Sequence, residues 1–318
     1  MSETFPRVTL FAPCTAESLT ALAAPLGRAG LEVEGGLLRG DGLASTIEAE
    51  WVENDGGFGA AFSFGTVPTD KVAALDRAPG ALLLHCHADL RDGREQICEA
   101  VRRLWRAGAL AVRLEQSKVG WEIGDWLELM TSDDPWAWHR ATVAFLGDDG
   151  ILQSCGMHAF SLPDACATTD ADADELSAFV TTLNVYQLAE DPVIVSGQTF
   201  APDADTTRRV LERWPDVGYP PDDACHNPYG VWRLGPPGGR ARPQSELAHV
   251  FMPALRVVLR ALQEQAGAPL SREQVEAVRD KGACVAMEHR DAQKIERSRG
   301  YADVDPELAW QQWQLIRG

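Results

Sequence analysis

The sequence lacks any apolar run of the ~18 residues that a membrane-spanning helix needs, which argues against a helical membrane span. It has no G-x-S-x-G elbow for a serine nucleophile, and no glycine-rich phosphate loop followed by lysine and a helix, so no nucleotide or other cofactor is implied. Its seven cysteines, Cys14, Cys86, Cys98, Cys155, Cys166, Cys225 and Cys284, stand singly. The absence of a C-x-x-C pair excludes a zinc knuckle or a dithiol redox motif, and scattered thiols read as buried side chains of a reducing compartment. Basic residues are scarce, 29 Lys and Arg against 47 Asp and Glu, for a formal charge of −18. A surface of that sign repels nucleic acid and anionic membrane and attracts a basic partner protein; it equally serves to keep a cytosolic protein in solution. The opening residues, MSETFPRVTLFAPC, contain no long apolar segment and read as no secretory signal, so the expected location is cytoplasmic.

What is present is the composition of a globular protein, 45% hydrophobic and 24% charged over 318 residues, enough for a substantial core. The stretch that organises the chain is 81–114. An apolar run at 81–87 reads as a strand, 92–107 has helical period with Ile97, Val101 and Leu104 on one face, and Gly108 stands where a left-handed helix cap is wanted. Residues 109–114 return to β character. If the two strands are parallel neighbours, their C-terminal ends, at 87–89 and 115–118, open on one edge of the sheet.

Around this unit the sequence predicts strands at 8–11, 31–38, 45–52 and 58–64, with helices at 16–29 and 69–78. Further on come a helix at 121–130, a turn at 133–136, a β-hairpin of 139–145 with 151–157, a helix at 176–188 and a strand and turn at 192–200. The acidic run 170–175 precedes a helix without the glycine and terminal glutamate of a calcium loop, so it reads as compensation of the helix dipole. GPPGGRARP at 235–243 has linker composition. Beyond it lie a helix at 245–265, a capping box at Ser271 and Gln274, and Asp305-Pro306 opening a last helix on which Trp310 and Trp313 share a face as core anchors. The expected fold class is α+β: a mixed, largely antiparallel sheet with flanking helices and a helical C-terminal cap. The expected organisation is a core domain at 1–234, a linker at 235–243 and a helical segment at 244–318.

Two places carry candidate chemistry. His85, His87 and Asp89 lie on one face of a strand by its period of two, and H-C-H-A-D resembles the H-x-H-x-D-H signature of metallo-β-lactamase-type hydrolases. Zinc held there would lower the pKa of a bound water. Leu90 occupies the place of that signature's last histidine, so a further imidazole would have to come from His139, His158 or His226. The alternative buries His85 and His87 under the helix 92–107, hydrogen-bonded and inert. Cys155-Gly156, close to His158, lies within an expected hairpin and not on a strand-to-helix turn, which does not suit a nucleophile. The second place is 214–234, WPDVGYPPDDACHNPYGVWRL, a long proline-, aspartate- and aromatic-rich stretch. Tyr219, Asp222, Asp223, Tyr229 and Trp232 are its candidate partner-binding residues, with the aromatics as anchors or, alternatively, as core.

GMHAFSLPDA at 156–165, VYQLAEDP and NPYGVW at 227–232 resemble an uncharacterised bacterial family known as a domain of unknown function. The tail, LSREQVEAVRDKGACVAM with RGYADVDPELAWQQWQ, is similar to a C-terminal segment of other bacterial hypothetical proteins. The resemblance implies a cytosolic bacterial α+β protein and transfers no active-site residue. Together these readings lead to a non-catalytic protein-binding protein, an immunity or adaptor protein for a basic partner. The competing expectation is a zinc-dependent hydrolase on His85, His87 and Asp89.

Overall fold

A computed structural model describes residues 7–44, 46–148, 150–168 and 173–317. The described chain forms two compact units: residues up to Leu146 with Ser154–Leu162, and residues Gly147–Gln153 with Pro163 onward. The fold is α+β, as its sequence predicts, and no described helix is long and apolar enough to cross a membrane.

The first unit is laid out by β1 (Val8–Cys14), α1 (Leu19–Arg28), β2 (Leu31–Glu34), β3 (Leu37–Gly40), β4 (Ile47–Glu53), α2 (Phe58–Ala61), α3 (Thr69–Asp76), β5 (Gly80–Cys86), α4 (Arg94–Ala107), β6 (Val112–Leu114), β7 (Val119–Trp121), α5 (Ile123–Thr131) and α6 (Pro135–Thr142). Its seven-stranded sheet has the order β2-β3-β4-β5-β1-β6-β7, every pairing antiparallel. All seven residues of β1 are buried, because helices cover both faces of this central strand. On one face Phe11 meets Phe58 edge-on at 4.9 Å, with Phe62, Leu75 and Ala81 beside them. Helix α4 buries Ile97, Val101 and Leu104 and ends on Gly108 in the left-handed conformation, while Glu99 bridges to Arg103 at 2.8 Å on its outer face.

Several expectations for this unit are corrected by the fold. Strands β5 and β6 run in the same direction but are not neighbours, since β1 lies between them, antiparallel to both. The expected single strand at 31–38 is a hairpin: Gly35 and Gly36 both have positive φ, 58° and 79°, which folds the chain back after Glu34. Residues 58–64, expected as a strand, begin as α2, because Phe58 and Phe62, four apart, must both reach the Phe11 cluster. Further along, 139–142 belongs to α6 and not to a strand. Asp134 caps that helix, accepting from Trp136 N, with Pro135 in its first turn.

The second sheet has the order β11-β12-β13-β10-β9-β8. Its strands are β8 (Ala144–Asp148), β9 (Ile151–Cys155), β10 (Asp164–Thr168), β11 (Thr199–Phe200), β12 (Arg209–Trp214) and β13 (Val231–Leu234). Strands β10 and β13 are parallel, the one such pair with a described register, so the sheet is mixed. Helix α7 (Ala173–Glu190) follows β10 with Asp174 and Glu175 in its first turn, where carboxylates favour the helix dipole; Asp170 to Asp172 of the acidic run lie outside the described residues. Of the strand and turn expected at 192–200, the turn forms at 196–197 and only β11, after it, pairs in a sheet among the described residues.

Beyond residue 243 come β14 (Ala248–Phe251), α8 (Leu255–Ala266), α9 (Arg272–Lys281), β15 (Cys284–Met287), α10 (His289–Arg299) and, after a short 3-10 turn, α11 (Ala309–Ile316). The capping box at Ser271 and Gln274 forms as its spacing predicts, and Asp305 accepts from Glu307 N. The helix expected from 245 instead starts at Leu255, after β14 has paired antiparallel with β15. Trp313 lies at the centre of a cluster with Phe251, Leu255, Leu259, Val275 and Val304, and Trp310 packs on its margin.

Candidate functional site

Residues 215–230 join β12 to β13 and hold their shape through buried polar side chains. Asp216, 4% exposed, accepts from Gly218 N at 2.9 Å and from Asn227 N at 2.8 Å. Asn227 in turn accepts from Tyr229 N and donates to Asp164 at 2.6 Å. The loop closes on Gly230, whose φ is 74° and whose absent Cβ would stand 2.3 Å from Trp214 O. A connection of this length with its own internal hydrogen bonds is a built surface, and not slack chain.

Arg213, at the end of β12, sets the floor. Its Nε donates to Tyr229 O at 2.6 Å, its guanidinium lies 4.9 Å from the Trp232 ring centre, and it pairs with Glu296 of α10 at 2.5 Å. Gln312 of α11, 3% exposed, donates to Arg213 O and accepts from Asp305 N, and Ala302 N donates to Pro228 O. The loop and the C-terminal helices thereby enclose a cleft of about 560 Å³, the size range of a small-ligand or side-chain pocket. Its walls are mixed: Trp214, Tyr219 and Ile316 supply apolar surface, while Arg256 and Arg260 of α8 supply charge. His226 and His289, at its rim, each place a ring nitrogen against a main-chain oxygen, Tyr219 O at 3.1 Å and Ser245 O at 3.0 Å.

Of the partner-binding candidates, Tyr219 and Trp232 line this cleft. Trp232 is 3% exposed, with its indole donating to Gln187 at 3.1 Å, so it is both core and cleft floor. Tyr229 is core, and only its carbonyl takes part, by holding Arg213. Asp222 and Asp223 are exposed outside the cleft lining, and Asp223 closes a turn onto Cys225 N. Sequence reasoning missed Arg213, Arg256 and Arg260. A signal did exist in the last two: like charges four apart on one helix face repel unless a counter-charge is supplied.

The other candidate set is dispersed into separate contacts. His85 Nδ1 faces Thr9 Oγ1 at 3.3 Å, and His87 Nε2 pairs with Glu48 at 2.8 Å. Asp89, 6% exposed, accepts from Arg91 N, Asp92 N and Ser161 Oγ at 3.0, 2.9 and 2.5 Å, with Arg7 at 3.8 Å. His139 is buried on α6 with its ring 6.2 Å from that of Phe145, and His158 is buried in a 3-10 turn. Among the described residues no three His, Cys, Asp or Glu side chains form a group that could hold a metal ion. Six of the cysteines are buried and Cys284 is exposed; burial pushes the thiols of Cys14 and Cys86 up to about 12.

No protein-family model, curated protein or solved structure matches this chain.

Proposed function

We propose that the chain is a non-catalytic protein-binding protein, an immunity or adaptor protein, whose partner inserts a group into the cleft between residues 215–230 and the C-terminal helices. The observation that supports this most directly is the cleft itself: a concave site with aromatic, aliphatic and arginine walls, on a loop held by the buried Asp216, Asn227 and Asp164 network. Rigid aromatic anchors beside arginine are what interface hot spots are built from. The net charge of −18 suits a basic partner, because it accelerates encounter from a distance while the cleft reads local chemistry. His85, His87 and Asp89 each satisfy a neighbour in the fold, which favours a binding role over a zinc hydrolase.

Immobilised chain incubated with extract of its native host tests this. The expected result is a basic protein retained at low salt, released as ionic strength rises, and lost from the double variant Tyr219→Ala, Ile316→Arg. A protein retained equally by that variant, or none retained at low salt, overturns the proposal.

A further inference from the structure

The carboxylates on the cleft wall are engaged by the fold. Asp216 is held by Gly218 N and Asn227 N. Asp303 accepts from Leu255 N at 2.8 Å and Arg256 N at 2.9 Å, capping α8 from a distance, and from Val304 N. Glu296 pairs with Arg213, and Asp305 accepts from Glu307 N. The arginines of α8 are different. Arg256 gives one N–H to Ala302 O at 3.1 Å and lies 4.8 Å from the Tyr301 ring centre. Arg260, one turn later and exposed, makes no hydrogen bond or ion pair among the described residues. Among the described residues neither guanidinium makes an ion pair with a carboxylate, Asp303 acting on Arg256 only through its charge, in a chain where acidic residues outnumber basic ones 47 to 29. Burial, and then the charge of Arg260, push the Arg256 guanidinium below its ordinary pKa, against the opposing charges of Tyr301 and Asp303.

Resting on the reading of this cleft as the binding site, we infer that its ligand presents a carboxylate on an apolar or aromatic body, with Arg256 and Arg260 as the anchoring pair. A guanidinium fork matches a carboxylate in two parallel hydrogen bonds. A dianionic phosphate would meet stronger repulsion from Asp303, Asp305 and Glu296, which line the same walls, so the monoanion is the better match. Trp214, Tyr219 and Ile316 would cover the apolar body. A basic partner protein can supply such a group as its own C-terminus or as an Asp or Glu beside an apolar residue.

Three probes test this on the full chain: acetyl-leucyl-phenylalanine with a free carboxylate, the same dipeptide as its amide, and phenyl phosphate. The readout is the indole N–H resonances of Trp214 and Trp232, which report occupation of this cleft. The carboxylate probe is expected to shift both signals, with the amide weaker by about tenfold, the equivalent of one charge-assisted hydrogen bond. Arg260→Gln, at an exposed position that leaves the fold intact, is expected to weaken the carboxylate by a similar factor and leave the amide unchanged; Arg256→Lys keeps the charge but loses the fork, and should also weaken it. Equal binding of carboxylate and amide would refute the anion inference while leaving the cleft as a binding site. Tightest binding by phenyl phosphate would refute the choice of a monoanion. No shift with any probe would remove both the inference and the cleft reading it rests on.

Discussion

Replacing Asp89 by alanine separates a structural carboxylate from a ligand held for chemistry. Its side chain accepts two main-chain N–H groups, at 3.0 Å from Arg91 and 2.9 Å from Asp92, and the buried hydroxyl of Ser161 at 2.5 Å. The two part-buried backbone bonds are worth about 1 kcal/mol each, and leaving the O–H of Ser161, whose residue is 2% exposed and whose oxygen still accepts from Arg7 at 2.9 Å, without its acceptor costs about 1–2 kcal/mol more. The Arg7 contact, at 3.8 Å with the arginine side chain 28% exposed, adds less than about 1 kcal/mol. Asp89→Ala should therefore destabilise the chain by about 3–4 kcal/mol. Asp89→Asn keeps an acceptor for the backbone N–H groups and can donate to Ser161 Oγ, so its cost should be near 1 kcal/mol, roughly one charge-assisted increment. His87→Ala, which loses one pairing with the 53%-exposed Glu48, should cost no more than about 1 kcal/mol. Urea titration monitored by circular dichroism, with amide hydrogen exchange at Arg91 and Asp92, gives the ranking. A wild-type midpoint and protection in Asp89→Ala, or an asparagine variant as unstable as the alanine one, would refute the reasoning.

Gly230→Ala places a methyl 2.3 Å from Trp214 O at a backbone φ of 74°, so it should lower stability by more than about 1 kcal/mol, and any ligand affinity of the cleft with it, measured by thermal unfolding and probe titration. With six buried cysteines and Cys284 exposed, native protein should give one fast-reacting thiol with a chromogenic disulfide reagent, and Cys284→Ser should abolish that phase; several fast thiols would contradict the burial. Burial raises the carboxyl pKa of Asp305 above its ordinary value, so the folded state holds this proton more tightly than the unfolded one. Its contribution then falls as pH rises from the unfolded pKa through the folded one, and at neutral pH the ionised group is a cost. Asp305→Asn, which still caps Glu307 N, should be neutral or stabilising at pH 7 and lose that advantage below pH 4; a clear loss of stability at pH 7 would refute this.

Local chemistry in the sequence determined those elements whose ends are capped by neighbouring residues. Gly108 ends α4, Ser271 with Gln274 opens α9, and Asp305-Pro306 opens the turn before α11, each through side chains or φ angles a few residues away. The apolar runs of β1 and β5 likewise read as strands, because both faces of a central strand are buried. Tertiary structure decided the rest. Phe58 opens the short helix α2, which ends just before Phe62, so that both rings join the cluster of Phe11, and Ala248–Phe251 is a strand because Cys284–Met287 lies beside it, some 35 residues further along the chain. The loop at 215–230 was legible as a candidate from its prolines and aromatics, but the division of labour within it was not. Tyr229 went to the core, Asp222 and Asp223 outside the cleft, and Trp232 to its floor, according to which groups Asp216 and Asn227 tied down. Arg256 and Arg260 carry no motif; what sets them apart is that Asp303, the nearby carboxylate that could have answered their charge, is taken up by the backbone of α8, and only the folded chain brings it there.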